Sequence, residues 1–282
     1  MTYRHLSALV PTTAFVLLWS SGAIVSEIAL RHGSPFAVLI LRYIIAFIAL
    51  AGFAAWNRQL LPERGTRGRA VLTGFSIAGL YTTCYLLALS HGVTPGALAT
   101  LLGVQPILTI FATERRVTLL RLGGLVCALL GLALVVSDGL LAMRFHALGL
   151  LFAGLALLGI TAGSILQKRE TQAPWVVLPT QYAVGLALAG AATPFAPFHA
   201  SWHPGFILPV LWLALVISVG TTFLLYRLIA GGNLVNVTSL FYLVPGVTAA
   251  MDWLLLGNPM SVLAIFGLGL VVIGLLLVFR QR

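Results

Sequence analysis

The sequence predicts an all-α membrane protein of ten transmembrane helices, arranged as two inverted five-helix repeats. Three observations carry this expectation: the scarcity of charge, the spacing of long apolar runs, and a match between the two halves of the chain. Of the 282 residues, 60% are hydrophobic and only 8% are charged. A soluble domain carries about 25% charged residues, so this chain cannot present a wetted surface all round. The 29 glycines suit helices that approach one another closely in lipid. Ten spans of about 20 residues use about 200 residues, which leaves termini and short loops but no sizeable soluble domain.

The apolar runs predict spans over 11–31, 35–56, 70–90, 95–113, 118–137, 147–167, 173–196, 207–230, 234–256 and 260–279. Continuous apolarity lacks the two-residue alternation of a barrel strand, and lipid requires each segment to satisfy its own backbone, so these runs read as helices. No small-residue cleavage site follows a short apolar core near the start, so the first span reads as uncleaved. Thirteen of the 16 Lys and Arg residues, among them Arg4, Arg58, Arg64, Arg121, Lys168 and Arg280, fall on one face of this topology. Arg31 and Arg144 fall on the other, and Arg42 lies inside a span. Basic residues accumulate in cytoplasmic loops, so both termini are expected in the cytoplasm, in the cell (inner) membrane. The net charge of +10 has the same explanation and does not call for nucleic acid. Cys84 and Cys127 sit within apolar spans without disulfide or metal spacing.

Shifting the sequence by 139 residues aligns Ser34–Tyr43 with Ala173–Tyr182, Thr82-Thr83 with Thr221-Thr222, and Pro106 with Pro245. Later the shift becomes 143, and Gly124 and Gly131 meet Gly267 and Gly274. Five spans per half is an odd number, so the second half is inverted relative to the first. Such repeats place a binding site near the midplane, between halves that rock.

At this point the chain resembles the drug/metabolite transporter superfamily, EamA family. The residues that carry the resemblance are Leu17-Leu18-Trp19-Ser20-Ser21-Gly22, Ser34-Pro35-Phe36, Leu41-Arg42-Tyr43, Ala88-Leu89-Ser90-His91-Gly92, Leu102-Gly103-Val104-Gln105-Pro106, Glu114-Arg115 and Leu243-Val244-Pro245. The resemblance implies two EamA repeats, at residues 8–138 and 146–280, and a secondary transporter, often an exporter of amino acids or related metabolites. One departure concerns the end of the ninth span, where the family has Gly-Glu and this chain has Gly257-Asn258.

Charge inside a bilayer is costly, which makes each intramembrane ion a candidate for function. Arg42 lies about seven residues into its span, about 10 Å deep at 1.5 Å per residue. It is expected to hold a substrate carboxylate, or else to snorkel outward or pair with Glu27. Its repeat mate is the neutral Gln181. Glu27 and Asp252 are the candidates for proton coupling, against the simpler reading of interfacial carboxylates. Pro106 and Pro245 are expected to break their helices, and paired breaks in two halves point to a site. Around them stand the polar candidates Thr100, Gln105, Asn236, Ser239 and Tyr242. Trp19, Tyr81 and Tyr85 are expected on the cavity wall; for Trp19 the family resemblance adds weight. Gly159-x₃-Gly163 and Gly92-x₃-Gly96 are small-xxx-small patterns of low specificity that do not establish a dimer. His199 and His203 are read as ordinary loop residues.

These readings converge on a membrane-embedded secondary transporter with a small-molecule substrate and no cofactor, metal or ATP requirement. The sequence contains no Walker motif. Proton coupling and facilitated diffusion stand as equals. The alternatives are a non-transporting sensor or assembly protein on the same fold and, with less in its favour, a membrane-embedded enzyme. The enzyme reading needs clustered His, Asp or Glu at catalytic depth.

Overall fold

The computed structural model describes residues 2–114, 117–135, 137, 147–195, 198–247 and 261–280. Apart from one isolated bridge between Gly33 and Ala200, the described residues are helices and short connections. The helices are α1 (Thr2–Leu30), α2 (Pro35–Trp56), α3 (Arg67–Ser90), α4 (Pro95–Leu102), α5 (Gln105–Thr113), α6 (Leu119–Val135), α7 (Ala147–Lys168), α8 (Pro174–Ala192), α9 (Pro204–Gly231), α10 (Leu234–Ser239) and α11 (Val262–Arg280).

Among the described residues, seven helices are long and apolar enough to cross a membrane. Ala97–Thr113, Leu119–Val135 and Leu234–Val247 are shorter apolar helical stretches. The chain is therefore an all-α, multi-pass membrane protein. Large side chains left exposed, such as Ile48, Phe111, Leu151, Phe266 and Leu276, have hydrocarbon rather than water to face.

Local chemistry sets the helix starts. Ser34 and Thr94 cap α2 and α4, each hydroxyl accepting a backbone N–H three residues on, and a proline follows each cap. Asn233 caps α10 by accepting from the N–H of Asn236 at 3.2 Å. His203 caps α9, its Nδ1 accepting from Gly205 at 3.1 Å, so this loop residue has a structural task that its sequence reading lacked.

The helices are not uniform. The expected fourth span is broken at Gly103-Val104, and Pro106 stands in the first turn of α5. A proline lacks the N–H and clashes with the carbonyl four residues back, so the turn opens before it. Ahead of Pro245 the chain tightens into a 3₁₀ turn at Leu240–Tyr242. Two further irregularities were not expected: π-helical segments at Phe75–Tyr81 within α3 and Trp212–Thr221 within α9. Each ends at the Thr-Thr pair. Thr82 donates to the carbonyl of Ile77 at 2.9 Å, and Thr221 to that of Val216 at 2.9 Å. A π turn loosens the backbone ladder, and the threonine hydroxyl takes up the carbonyl five residues back.

Contacts define two ends of the bundle. At one, Ser34 N–H donates to His199 and Gly33 pairs with Ala200. At the other, the Glu63 N–H donates to Gln172 and Lys168 Nζ donates to the carbonyls of Ile229, Ala230 and Gly232. This second end also carries Arg58, Arg64, Arg67, Arg69 and Arg169 and is called the basic end below. A large core joins α1, α2, α3, α8 and α9. A second core joins α5, α6, α10 and α11.

The tightest helix pair is α6 with α11. A Cβ at Gly131 would stand 2.6 Å from the Gly267 carbonyl oxygen, and one at Gly274 would stand 2.5 Å from that of Gly124. Gly124 thus meets Gly274 and Gly131 meets Gly267, the crossing of two antiparallel helices at backbone contact. Gly131→Ala is expected to lower stability by about 1–3 kcal/mol through overpacking, read as a lower melting midpoint in detergent. Gly269→Ala, with open space around its Cβ, is the matched control and should leave that midpoint in place.

Candidate functional site

A cavity of about 620 Å³ lies inside the bundle, within the span of about 300–1,000 Å³ usual for small-molecule sites. Of the residues singled out in the sequence, Trp19, Glu27, Arg42, Tyr81, Tyr85, Gln105, Gln181 and Pro245 are on its wall. Thr100, Pro106, Asn236, Ser239 and Tyr242 are not. Asp252 and Asn258 lie outside the described residues.

Arg42 is the buried charge of this wall, only 9% exposed. Its Nε donates to Ser218 Oγ at 2.6 Å. Ser218 is fully buried in the π segment of α9, and the Tyr182 hydroxyl donates to its carbonyl at 2.8 Å. Among the described residues Arg42 makes no other hydrogen bond and no ion pair, so its two Nη nitrogens are left for the cavity. This corrects both simpler expectations for Arg42. It does not snorkel, because Ser218 holds it inward, and it does not pair with Glu27. Glu27 is bound instead by Arg31, one turn away along the chain, at 2.7 Å. The two side chains are 46% and 68% exposed, and they mark where the cavity reaches the end of the bundle away from the basic residues.

The glutamines are held in place. Gln181 Nε2 donates to Gln167 Oε1 at 3.1 Å, while the Tyr226 hydroxyl donates to Gln181 Oε1 at 2.6 Å. Gln105 Nε2 donates to Ser164 Oγ at 3.1 Å. An amide with both ends engaged has one orientation, which fixes the polar pattern of the wall.

Aromatic rings form another part of the wall. Trp19 packs against Phe241 and Phe15 with ring centroids 5.1 and 5.4 Å apart. Tyr81 and Tyr85 meet edge to face at 5.9 Å. The π segment of α3 brings Tyr81 toward the cavity, and Gly159 of α7 lets it approach, since a Cβ there would lie 2.8 Å from the Tyr81 nitrogen.

The candidates off the wall have other partners. Arg121, one of the basic residues that the sequence collects on one face, lies in the first turn of α6 and is 9% exposed. One Nη donates to both carboxylate oxygens of Glu114 at 2.7 Å. The other donates to Asn233 Oδ1 at 2.8 Å and Asn236 Oδ1 at 2.9 Å. Asn236 stands one turn into α10 at the basic end, too near that end to reach the cavity. The Ser239 hydroxyl donates to the Val235 carbonyl of its own helix at 2.7 Å. Tyr242 is fully buried in the second core.

Sequence reasoning missed Ser218, Tyr226, Ser164 and Gln167. The only signal for the last two was polarity at three-residue spacing in an otherwise apolar span. Ser218 had no signal beyond its nearness to the matched threonines.

The family model of the EamA-like transporter family matches residues 8–137. Over this segment the chain is similar to that family. Trp19, Arg42, Tyr81, Tyr85 and Gln105 lie in it, so the matched segment supplies both the cationic group and much of the aromatic wall. Among curated proteins none matches the chain. Among solved structures 29 chains match. One, described as the crystal structure of a protein, has a TM-score of 0.76, 20% identity, and coverage of 97% of this chain and 98% of its own. At that identity the likeness is one of fold.

The Arg121 cluster can be tested apart from the cavity. Glu114→Gln should cost about 3 kcal/mol, the lower end of the range for a buried pair because Glu114 keeps some exposure. It leaves the Arg121 charge buried without a carboxylate. Glu114→Gln/Arg121→Gln should cost less than the sum of the single changes, measured as melting midpoints in a double-mutant cycle.

Proposed function

We propose that this protein is a secondary transporter that exports a small polar metabolite, such as an amino acid or a derivative, by alternating access. The observation that carries the proposal is the cavity itself. It lies within a multi-pass membrane protein, has a buried guanidinium on its wall, and reaches the exposed Glu27–Arg31 pair at one end. At the basic end the Glu114–Arg121–Asn233–Asn236 cluster joins residues 114–121 to residues 233–236. Access on one side with a latch on the other is the arrangement an alternating-access cycle requires.

The proposal reads the chain as ten spans in two inverted halves, residues 8–138 and 146–280. Matched structural details support it. Thr82 and Thr221, aligned by the shift of 139, make the same hydroxyl–carbonyl bond at 2.9 Å. Tyr43 and Tyr182, aligned by the same shift, touch at 5.6 Å, and each donates to a carbonyl of a π segment, at Ala78 and Ser218. The Gly124–Gly274 and Gly131–Gly267 contacts exchange with one another when each residue is replaced by its repeat mate. A two-fold relation between antiparallel helices has that property, and it is the relation inverted halves need.

The distribution of basic residues favours a cytoplasmic setting for the latched end and both termini, and on that reading the described conformation opens outward. Export then requires the Arg121 cluster to part while the opposite end closes. Substrate would meet Arg42, Trp19, Tyr81, Tyr85, Gln105 and Gln181. Of the remaining sequence candidates, Asn236 acts in the latch and Ser239 and Tyr242 in packing, while Thr100 stands off the wall. We favour facilitated exchange, with Glu27 and Asp252 as the carboxylates to test for proton coupling. The rival reading is a non-transporting sensor on the same fold.

The deciding experiment is counterflow and export of a broad metabolite panel in liposomes holding the purified protein, with and without a proton gradient. Saturable exchange of at least one metabolite, indifferent to the gradient, is the expected outcome. If nothing in the panel exchanges and nothing binds, the transporter reading fails. A rate that rises with the gradient and loses that rise in Glu27→Gln or Asp252→Asn would replace facilitated exchange by proton coupling.

A further inference from the structure

The charge inventory of the cavity sharpens the substrate class. The chain has six acidic residues in all. Glu27 is bound to Arg31 at the exposed mouth, and Glu114 is bound to Arg121 in the latch. Glu63 lies at the basic end, where its N–H meets Gln172. Glu170 accepts from the N–H groups of Thr171 and Gln172 at 3.1 and 3.2 Å at the same end. Asp138 and Asp252 are outside the described residues. On the cavity wall this leaves one cation, Arg42, with no ion pair among the described residues, and one carboxylate that already has its cation.

Arg42 is also prepared for an anion. Ser218 occupies Nε, which restrains the guanidinium, and the two Nη groups of this cavity-lining residue make no hydrogen bond among the described residues. A carboxylate approaching them gains two parallel charge-assisted bonds without first having to order the side chain. Beside it stand Trp19, Phe241, Tyr81 and Tyr85, a wall that suits an apolar body of ring size. An ammonium close to that carboxylate would be taken from water beside a like charge and given no carboxylate among the described residues, which is unfavourable in a low-dielectric interior.

Resting on the transporter reading, we propose that the substrate is an organic anion: a carboxylate with an apolar, aromatic-sized body and no free ammonium group, rather than a zwitterionic amino acid. Arg42 clamps the carboxylate, and Ser218 is the positioning residue for the clamp.

Three compounds of one skeleton test this: N-acetyl-L-phenylalanine (carboxylate only), L-phenylalanine (carboxylate and ammonium) and L-phenylalanine amide (ammonium only). Binding is read on the purified full-length protein by ligand-induced melting shift, and exchange by counterflow in liposomes against protein-free blanks. N-acetyl-L-phenylalanine should exceed L-phenylalanine by at least about tenfold in binding and exchange, and the amide should give neither, given the cost of an unpaired buried charge. Arg42→Gln should abolish the response to the N-acetyl compound. Ser218→Ala, which keeps the charge but frees Nε, should weaken its affinity several-fold while keeping the preference for anion over zwitterion. If Arg42→Gln does not fold, as judged by elution and melting, the wild-type comparison decides alone.

L-phenylalanine moving as well as its N-acetyl derivative would overturn the anion assignment and leave the transporter reading standing. The same holds if none of the three exchanges but another member of the broad panel does. Exchange of nothing at all would remove the transporter reading, and this assignment with it.

Discussion

A helix bundle in lipid has no water with which to satisfy its interior polar groups, and Arg42 meets that condition in its severest form. A guanidinium at 9% exposure carries five N–H donors into the interior, so the surrounding helices must supply its partners. Ser218 supplies one, and it can do so because it lies in a π segment of α9 that faces α2. Tyr182 steadies the carbonyl of that same serine from α8. Three helices are thereby tied around one charge. The rest of the wall follows the same rule: Gln181 is engaged at both ends of its amide, and Gln105 is held by Ser164. Polar side chains that hold one another hold the helices that carry them, and the space left between is the cavity.

The two kinds of contact between helices suggest how such a bundle could move. Where α6 crosses α11, glycines bring backbones together over apolar surface, and the side-chain hydrogen bond that crosses it among the described residues is the weak one from the Cys127 thiol to the Leu270 carbonyl at 3.6 Å. At the basic end, one arginine binds a carboxylate and two asparagines at once. The first contact tolerates small sliding and rotation, since dispersion changes gradually. The second is either made or broken, since charge-assisted bonds weaken steeply with distance and angle. Discrete states in a cycle come from contacts of the second kind. The Arg121 cluster also holds the N-cap of α10, because Asn233 both caps that helix and accepts from Arg121, so opening the cluster loosens a helix start.

The π segments deserve the same physical reading. A helix with one extra residue per turn is wider and leaves carbonyls reachable by side chains. Thr82, Thr221 and Thr222 take carbonyls five residues back, and Tyr43 and Tyr182 take others from neighbouring helices. Hydroxyls thus replace the ladder bonds that the π turns loosen. The same distortion turns Tyr81 and Ser218 to where they meet the cavity and Arg42. Helix irregularity and site are one feature at this point of the structure.

Much of this was legible from residue order. Hydrophobicity, length and the distribution of Lys and Arg are properties of single segments, so the positions of the apolar helices, the membrane setting and Arg42 as the exceptional charge follow from the sequence alone. The open turn ahead of Pro106 and the 3₁₀ turn ahead of Pro245 agree with the prolines, because a proline acts on its own turn. Partners did not follow. That Arg42 meets Ser218 rather than Glu27, that Arg121 is buried against Glu114, Asn233 and Asn236, and that Asn236 joins that cluster while Tyr81 lines the cavity all depend on which helix faces which, and at what height. Those are relations between segments more than a hundred residues apart, as with Arg42 and Ser218, separated by 176 positions. An apolar span reads much the same whichever way its few polar groups point. Only packing turns Ser218 inward and sends Asn236 to the end of the bundle, because each hydroxyl, amide and charge settles where a partner is within bonding distance.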